Sequence, residues 1–322
     1  MNILLSSDDN YASLLAITIQ STLENNKDNF NVINFYILDG GISEIKKNKI
    51  ALLIQNFDMA ISLDYIQYDN VDKLLDKDIK ATRALSAYAI LLAPSLLDDS
   101  IEKIIYMDCD ALVTGSLEEI WNTDIDDYDF GAVLDLDSKY VNKFLDIPSD
   151  VHYNSGFLLI NLKRWRQNNL EAKFLDYLVG NDGEVYHNDQ GILNHVCEGN
   201  ILTISPRYNV LSPFFEVGYD NVLKWYDCDN YYSREVMEDA VNNPVFIHLT
   251  KFVCGRPWFR DAENHPLREL FKYYADKTPF EDDEIYVDNE ETGIWKLFLI
   301  GYKYLPFSIL CFMFRMYRSI RK

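Results

Sequence analysis

Apolar residues at the start of the chain alternate between short runs and helical spacing. Residues 3–5 form a run, Ala12, Leu15, Ala16, Ile19 and Leu23 follow at intervals of mostly three and four, and residues 35–38 form a run again. Short runs suit strands and the longer interval suits a helix with one buried face, so the stretch predicts a β-α-β unit. Ser43 is placed to cap a second helix that buries Ile45, Ile50, Leu53, Ile54 and Phe57, and residues 61–66 predict a third strand. Residues 82–97 predict a further helix that leads to a fourth strand at 103–107. Dense apolar runs at 130–134 and 157–162 predict buried strands, as do 201–204 and 245–247, while 170–179 and 190–196 predict helices. The fold class expected from this alternation is α/β, a mostly parallel central sheet with helices on both faces. Ligands of such sheets lie outside the carboxyl ends of the strands, so chemistry should follow strand ends.

Composition narrows the function. The 322 residues are 48% hydrophobic and 14% aromatic, enough for a substantial core. A formal net charge of -21 disfavours a nucleic-acid partner, which requires basic patches to neutralise phosphates. The charge is uneven: from Ile294 onward there are six basic residues and no acidic one, which leaves -27 on the rest. Five widely spaced cysteines without a C-x-x-C pair fit reduced thiols, and the start of the chain lacks the basic region of a secretory signal. A cytoplasmic location is the expectation.

Several polar groups stand at predicted strand ends. Tyr106-Met107-Asp108-Cys109-Asp110 carries two carboxylates at i and i+2. In extended chain both point the same way, and their oxygens suit Mn²⁺ or Mg²⁺ with a diphosphate supplying further oxygens. The same triplet also suits a solvated turn. His248 ends the 245–247 run and is expected along the same sheet edge, as a third ligand. Lys251 and Arg256, the latter following Gly255 and preceding Pro257-Trp258, offer positive charge for a diphosphate or form an ordinary basic loop. Asp8, Asn10 and Tyr11, after Ser6 and Ser7, either cap the first helix or hold a base and ribose. Asp189 and Gln190, in His187-Asn188-Asp189-Gln190, and Asn154 and Ser155, before Gly156, are open to the same pair of readings, structural turn or sugar contact. No phosphate-binding glycine loop, dinucleotide fingerprint or G-x-S-x-G elbow is present, which removes kinase, dehydrogenase and serine-hydrolase readings.

Taken in order, these motifs resemble the family 8 glycosyltransferases, a resemblance that runs from Met1 to about Trp258. It rests on Ser7-Asp8-Asp9-Asn10-Tyr11, the Asp108-Cys109-Asp110 motif, Tyr153-Asn154-Ser155-Gly156 with Leu159 to Leu162 and Trp165, Asn188-Asp189-Gln190, and His248 with Pro257-Trp258. The resemblance implies a single GT-A domain, expected over residues 1–280, and a retaining transfer of glucose or galactose from UDP-glucose or UDP-galactose to a glycan or glycolipid acceptor. It implies that Asp108, Asp110 and His248 bind Mn²⁺ (or Mg²⁺). It assigns Ser6, Asp8, Asn10, Tyr11, Cys109, Asn154, Ser155, Lys251, Gly255 and Arg256 to the donor, and Asp135, Asp189 and Gln190 to the reacting sugar carbon. One departure is Tyr88-Ala89-Ile90-Leu91, where Ile90 stands at the family's arginine; Arg83, two helical turns earlier, is the candidate to compensate. A second is the separation of His248 from Arg256-Pro257-Trp258, two residues longer than usual. The rival readings are a non-catalytic nucleotide-sugar-binding protein, favoured by Ile90, and a sugar nucleotidyltransferase, disfavoured by the acidic Ser6 to Tyr11 turn.

Residues 281–322 are expected to form an acidic linker and a basic, aromatic helical tail. Its uncharged stretch, 304–314, is too short to span a bilayer, which needs about 20 residues. The tail is therefore expected to lie on a membrane surface rather than fold back on the body, and so to hold the protein at the inner face of the cell membrane.

Overall fold

The computed structural model describes residues 1–67, 85–289 and 293–320. Its main sheet has seven strands in the order β3-β2-β1-β4-β7-β6-β8. These are β1 (Asn2–Ser7), β2 (Val32–Asp39), β3 (Ala60–Gln67), β4 (Lys103–Met107), β6 (Phe130–Leu134), β7 (Tyr153–Asn161) and β8 (Ile201–Thr203). All run the same way except β7, which pairs antiparallel with both β4 and β6. The expected mostly parallel sheet is present.

Both faces of the sheet are covered, which explains why its strands read as unbroken apolar runs. In β1, Ile3 and Leu5 pack in one core with α1 (Ala12–Asn26) and α2 (Glu44–Ile54), while Leu4 points into the other. That second core holds Trp165, Phe174 and Ile192, the last on α3 (Asn188–Val196). It also holds residues 88–92 of a 3₁₀ stretch, Leu85–Leu92, followed by a one-turn helix at Ala93–Leu96 with Pro94 in its first turn. Residues 82–97 are thus not one α-helix. Residues 82–84, with Arg83, lie outside the described residues.

A second, three-stranded sheet, β5-β10-β9, sits across α1 from the first. It joins β5 (Ala111–Val113) antiparallel to β10 (Phe246–His248), which pairs parallel with β9 (Val210–Leu211). This placement explains why α1 is buried nearly all round rather than on one face. Its polar side chains satisfy the outer edge of β5. Thr18 Oγ1 donates to the carbonyls of Cys109 (2.7 Å) and Ala111 (2.9 Å), Ser21 Oγ accepts from Val113 N (3.1 Å), and Asn25 Nδ2 donates to Val113 O (3.0 Å).

The C-terminal segment does not stand apart. The acidic stretch expected as a linker is packed: Ile285 and Tyr286 are buried in the first core, and Lys49 pairs with Glu284 at 2.5 Å. Beyond it, α5 (Gly293–Tyr304) and α6 (Phe307–Ile320) close over Trp225 of α4 (Tyr219–Tyr226). The indole stacks on Phe314 (4.4 Å) and Phe307 (5.5 Å), and meets Phe298 edge-on (5.6 Å) and Phe252 edge-on (5.1 Å). Arg315 pairs with Asp227 at 3.1 Å. One face of the tail therefore folds back, against the expectation of a segment given wholly to a membrane, because its aromatics find an apolar partner in Trp225. Leu297, Ile300, Tyr304, Ile309, Phe312 and Met316 remain exposed. Among the described residues no helix is long and apolar enough to cross a membrane.

Candidate active site

The site begins where β4 ends. The parallel register of β1 and β4 sets the end of β1, Ser6 and Ser7, beside Asp108, and Asp108 N donates to Gly156 O of β7 (2.9 Å). The chain then bends. Cys109 turns inward, its Sγ against Ser6 O (2.9 Å), and Asp108 and Asp110 stay partly exposed. The bend feeds directly into β5, whose Ala111 pairs with His248 on β10, and Leu249 N donates to Asp110 O (2.9 Å). This pairing delivers the imidazole: His248 Nε2 lies 3.5 Å from Asp108 Oδ2 and 3.3 Å from Asp110 Oδ1. His248 therefore reaches the carboxylates from the second sheet, not from the main sheet's edge as expected. The three residues can each offer one ligand atom within 4.8 Å of the others, and carboxylate oxygens with one imidazole fit a hard divalent cation.

Gly156 makes room for this arrangement. A Cβ at that position would lie 2.4 Å from both Cε1 and Nδ1 of His248, so the strand passes against the imidazole without space for a side chain. Asn154, Ser155 and Gly156 belong to β7 itself rather than to a turn before it. On the opposite side Arg256 Nη1 bonds Asp110 Oδ2 and also donates to Leu249 O (3.0 Å), with its guanidinium 4.9 Å from the Trp258 ring centre. Gly255, at φ +82, supplies the left-handed turn that aims it. Lys251, half-buried, lies on the same loop.

Burial and neighbouring charges pull the two carboxyls in opposite directions. Burial pushes Asp110 up, but the charges of Arg256 and His248 outweigh it and hold the carboxyl below its usual range. Asp108 is raised, by burial first and then by Asp110, against the attraction of His248 and the hydrogen bond from Tyr106 Oη (2.8 Å). His248 is raised because Asp110 and Asp108 overcome the cost of burying its charge.

A second cluster adjoins the first along β7, where Gly156 N donates to Asn154 Oδ1 (2.9 Å). Asp135, just past β6, accepts from Asn154 Nδ2 (2.8 Å) and from Gln190 Nε2 (3.4 Å). Gln190 Oε1 accepts from Ser155 N (3.1 Å), and its Nε2 contacts His187 Nδ1 (3.1 Å). Burial raises Asp135, yet His152 and His187 nearby leave it lowered overall. His187 and Asn188 both adopt positive φ, +61 and +52, a strained reversal for non-glycine residues that brings the first turn of α3 into the cleft. Asp189 there is raised to about 7, by the protein packed around it and then by repulsion from Asp108. The folded chain thus keeps a proton on Asp189 at pH values where the unfolded chain has lost it, so its stability should fall as pH rises toward 7. The thermal stability of Asp189→Asn relative to the parent should climb between pH 5 and 7 by up to about 1.4 kcal/mol per pH unit and then level off. Melting curves at pH 5, 6, 7 and 8 check this, and a constant difference refutes it.

The remaining expected residues divide. Asp8 accepts from Tyr11 N (3.0 Å) and Asn10 Nδ2 (3.4 Å), so it does brace the helix start, yet it stays partly exposed beside Tyr11. Tyr11 Oη in turn feels the charges of Arg256 and Asp110. Ile90 is buried in the second core with Leu4 and Tyr106, so the position expected to carry an arginine packs as apolar core. Two partners escaped the sequence reading. Asn209 Nδ2 donates to Asn154 Oδ1 (2.7 Å), and the fully buried His152 bonds Asn142 Oδ1 through Nδ1 (2.9 Å). Neither stands in a motif that would have singled it out.

Residues 2–262 match the model of glycosyl transferase family 8. The chain belongs to this family. Among its relatives, a Haemophilus influenzae protein named as a glycosyltransferase is 32% identical over 216 residues, covering 65% of this chain and 63% of that protein. A lipopolysaccharide 1,2-glucosyltransferase of Escherichia coli is 26% identical over 283 residues, 85% of this chain and 77% of its own length. A structure of galactosyltransferase LgtC in complex with donor and acceptor sugar analogues superposes with a TM-score of 0.68 at 26% identity, over 88% of this chain and 98% of that one. The family 8 fold, GT-A, is thus the architecture described above, and the Asp108-Cys109-Asp110 bend lies within the matched region.

Proposed function

We propose that this family 8 protein transfers glucose or galactose, with retention of configuration, from UDP-glucose or UDP-galactose to a glycan or glycolipid acceptor. The observation that carries the reading is the convergence of Asp108, Asp110 and His248 with Arg256 at the carboxyl ends of β1 and β4, beside Asp8 and Tyr11. Mn²⁺ or Mg²⁺ held by those three residues would neutralise the diphosphate. Arg256, with Lys251 on its loop, supplies charge that the protein itself keeps fixed near the leaving group. Asp8, Asn10 and Tyr11 offer hydrogen bonds and a ring face to uridine. Asp135, Asn154, Asp189 and Gln190 surround the hexose, where carboxylates favour an oxocarbenium-like centre. The galactosyltransferase and glucosyltransferase relatives support the hexose class. The outward apolar side chains of the tail, with its basic residues, support a resting place on anionic lipid at the cytoplasmic side of a membrane, where a lipid-linked acceptor is met.

A second reading, a sugar-nucleotide binder without turnover, is favoured by the buried Ile90. Incubation with each UDP-sugar, with Mn²⁺ or with EDTA, separates the two. Metal-dependent UDP release from one donor is the expected result and identifies the sugar. Metal-dependent UDP binding without release, even when acceptor glycans are supplied, would establish the binder instead.

A further inference from the structure

The short helix Ser212–Val217 brackets the stretch that joins His248 to Arg256. At its start Ser212 Oγ donates to His248 O (3.3 Å), and near its end Glu216 Oε2 accepts from Cys254 N at 2.6 Å. Residues four apart share one face of a helix, so a single turn grips residues 248 and 254 together. The Glu216 side chain is fully buried, and so is that of His265, whose Nε2 lies 3.6 Å from Glu216 Oε1. Leu267 N donates to His265 Nδ1 (3.1 Å), which leaves the ring proton on Nε2, facing that oxygen. Burial and then the charge of Glu216 push the Cys254 thiol up to about 12, so Cys254 serves here through its backbone N–H and not as a thiolate. A carboxylate is costly to bury unless hydrogen bonds meet its charge, and this one directs its strongest bond to the loop that carries Arg256.

We propose that Glu216, with Ser212 four residues before it, is the positioning residue that holds Arg256 toward the leaving diphosphate, an inference that rests on the nucleotide-sugar reading above. The contacts of Arg256 itself, with Asp110 Oδ2 and Leu249 O, lie at the far end of a long side chain and fix the guanidinium only when its backbone is already in place. The stretch from His248 is two residues longer than the family's usual spacing, and a longer loop has more freedom to lose on ordering. With residue 254 clamped, only Gly255 separates the fixed backbone from Arg256. The extra length is thereby taken up before it reaches the arginine.

Affinities for UDP and for uridine, both with Mn²⁺, test this, since uridine lacks the diphosphate that Arg256 would face. Glu216→Met removes the acceptor with little change in volume and should weaken UDP about tenfold while uridine stays within about twofold. Glu216→Gln, whose amide oxygen still accepts from Cys254 N, should keep UDP within about threefold of the parent. In an Arg256→Ala background Glu216→Met should cost UDP less than about twofold, because the group it positions is gone. Melting curves establish that each variant is folded. If Glu216→Met is not, Ser212→Ala, which releases the other end of the clamp, carries the test and should show the same selective loss at about threefold. Equal weakening of UDP and uridine, a loss undiminished in the Arg256→Ala background, or UDP affinity unchanged in both Glu216→Met and Ser212→Ala overturns the clamp. UDP bound by the parent but released from neither donor overturns transfer alone, and the clamp still stands or falls by these affinities. A parent that binds no UDP overturns the nucleotide-sugar reading and the clamp with it.

Discussion

Asp110→Asn is expected to lower metal-stimulated UDP release by about two to three orders of magnitude. Its carboxylate serves two partners at once, His248 Nε2 at 3.3 Å through Oδ1 and Arg256 through Oδ2. The amide is nearly isosteric, so packing is preserved and only charge is lost. Removing one partner from a largely buried ion pair costs about 3–5 kcal/mol, because the other charge stays buried without compensation. Felt in the transition state, about 3–4 kcal/mol of that loss corresponds to roughly 10² to 10³ in rate. The measurement is a Mn²⁺ titration of UDP release, paired with melting curves. Mn²⁺ with UDP should raise the melting temperature of the parent and leave that of the variant nearly unchanged. Unaltered stimulation by Mn²⁺ would remove Asp110 from the site.

Gly156→Ala tests the same centre by volume rather than charge. The added methyl lies 2.4 Å from two atoms of the His248 ring and 3.0 Å from Asn154 Oδ1. Something must move, and Gly156, though in a bulge of β7 away from β6, is tied to the end of β4 by the bond from Asp108 N to its carbonyl (2.9 Å), whereas the imidazole is held by its own backbone and its contacts with the two carboxylates. The ring is the part that yields. A misplacement near 1 Å is enough to cost about 10² in rate, and loss of support for a ligand weakens metal affinity by about 10 to 100-fold. Overpacking adds about 1–3 kcal/mol of destabilisation, which leaves the fold intact. Mn²⁺ affinity measured by calorimetry on folded variant should therefore drop at least tenfold, and an affinity equal to that of the parent would show that the strand, not His248, gives way.

How much of this was legible follows from what a one-dimensional pattern records. Asp135, just past β6, was named only by the family resemblance, whereas strand-end logic located Asp8 and Asp108, because each follows an apolar run that the sheet buries on both faces. It could not show how His248 joins them. The link is β5, only three residues long, and one edge of it is satisfied by Thr18, Ser21 and Asn25 of α1, polar groups that in sequence read as an ordinary helix surface. Asn154 to Gly156 read as lying before the strand, as a turn or a sugar contact, because they precede the apolar run, yet they are strand, polar because that end of β7 meets Asp135 and Gln190. The 3₁₀ geometry of 85–92 was hidden by uniform hydrophobicity, which has no period to distinguish helix types. For the tail, counting charge and aromatics captured its amphipathic character, while the docking partner, Trp225, lies some seventy residues away in a stretch with no motif.

That docking also ties the end of the chain to the loop that carries the site's arginine. Phe252 and Val253, between His248 and Arg256, share one apolar cluster with Trp225, Phe298 and Phe314. Two parts packed on a common side chain do not loosen independently: whatever draws the C-terminal hairpin away exposes Phe252, and whatever immobilises the Arg256 loop tightens the hairpin by the same free energy. The docking of the tail and the order of the Arg256 loop are in this sense a single equilibrium. A chain cut short before Gly293 to improve its handling would be a body whose Arg256 loop has lost one of its walls.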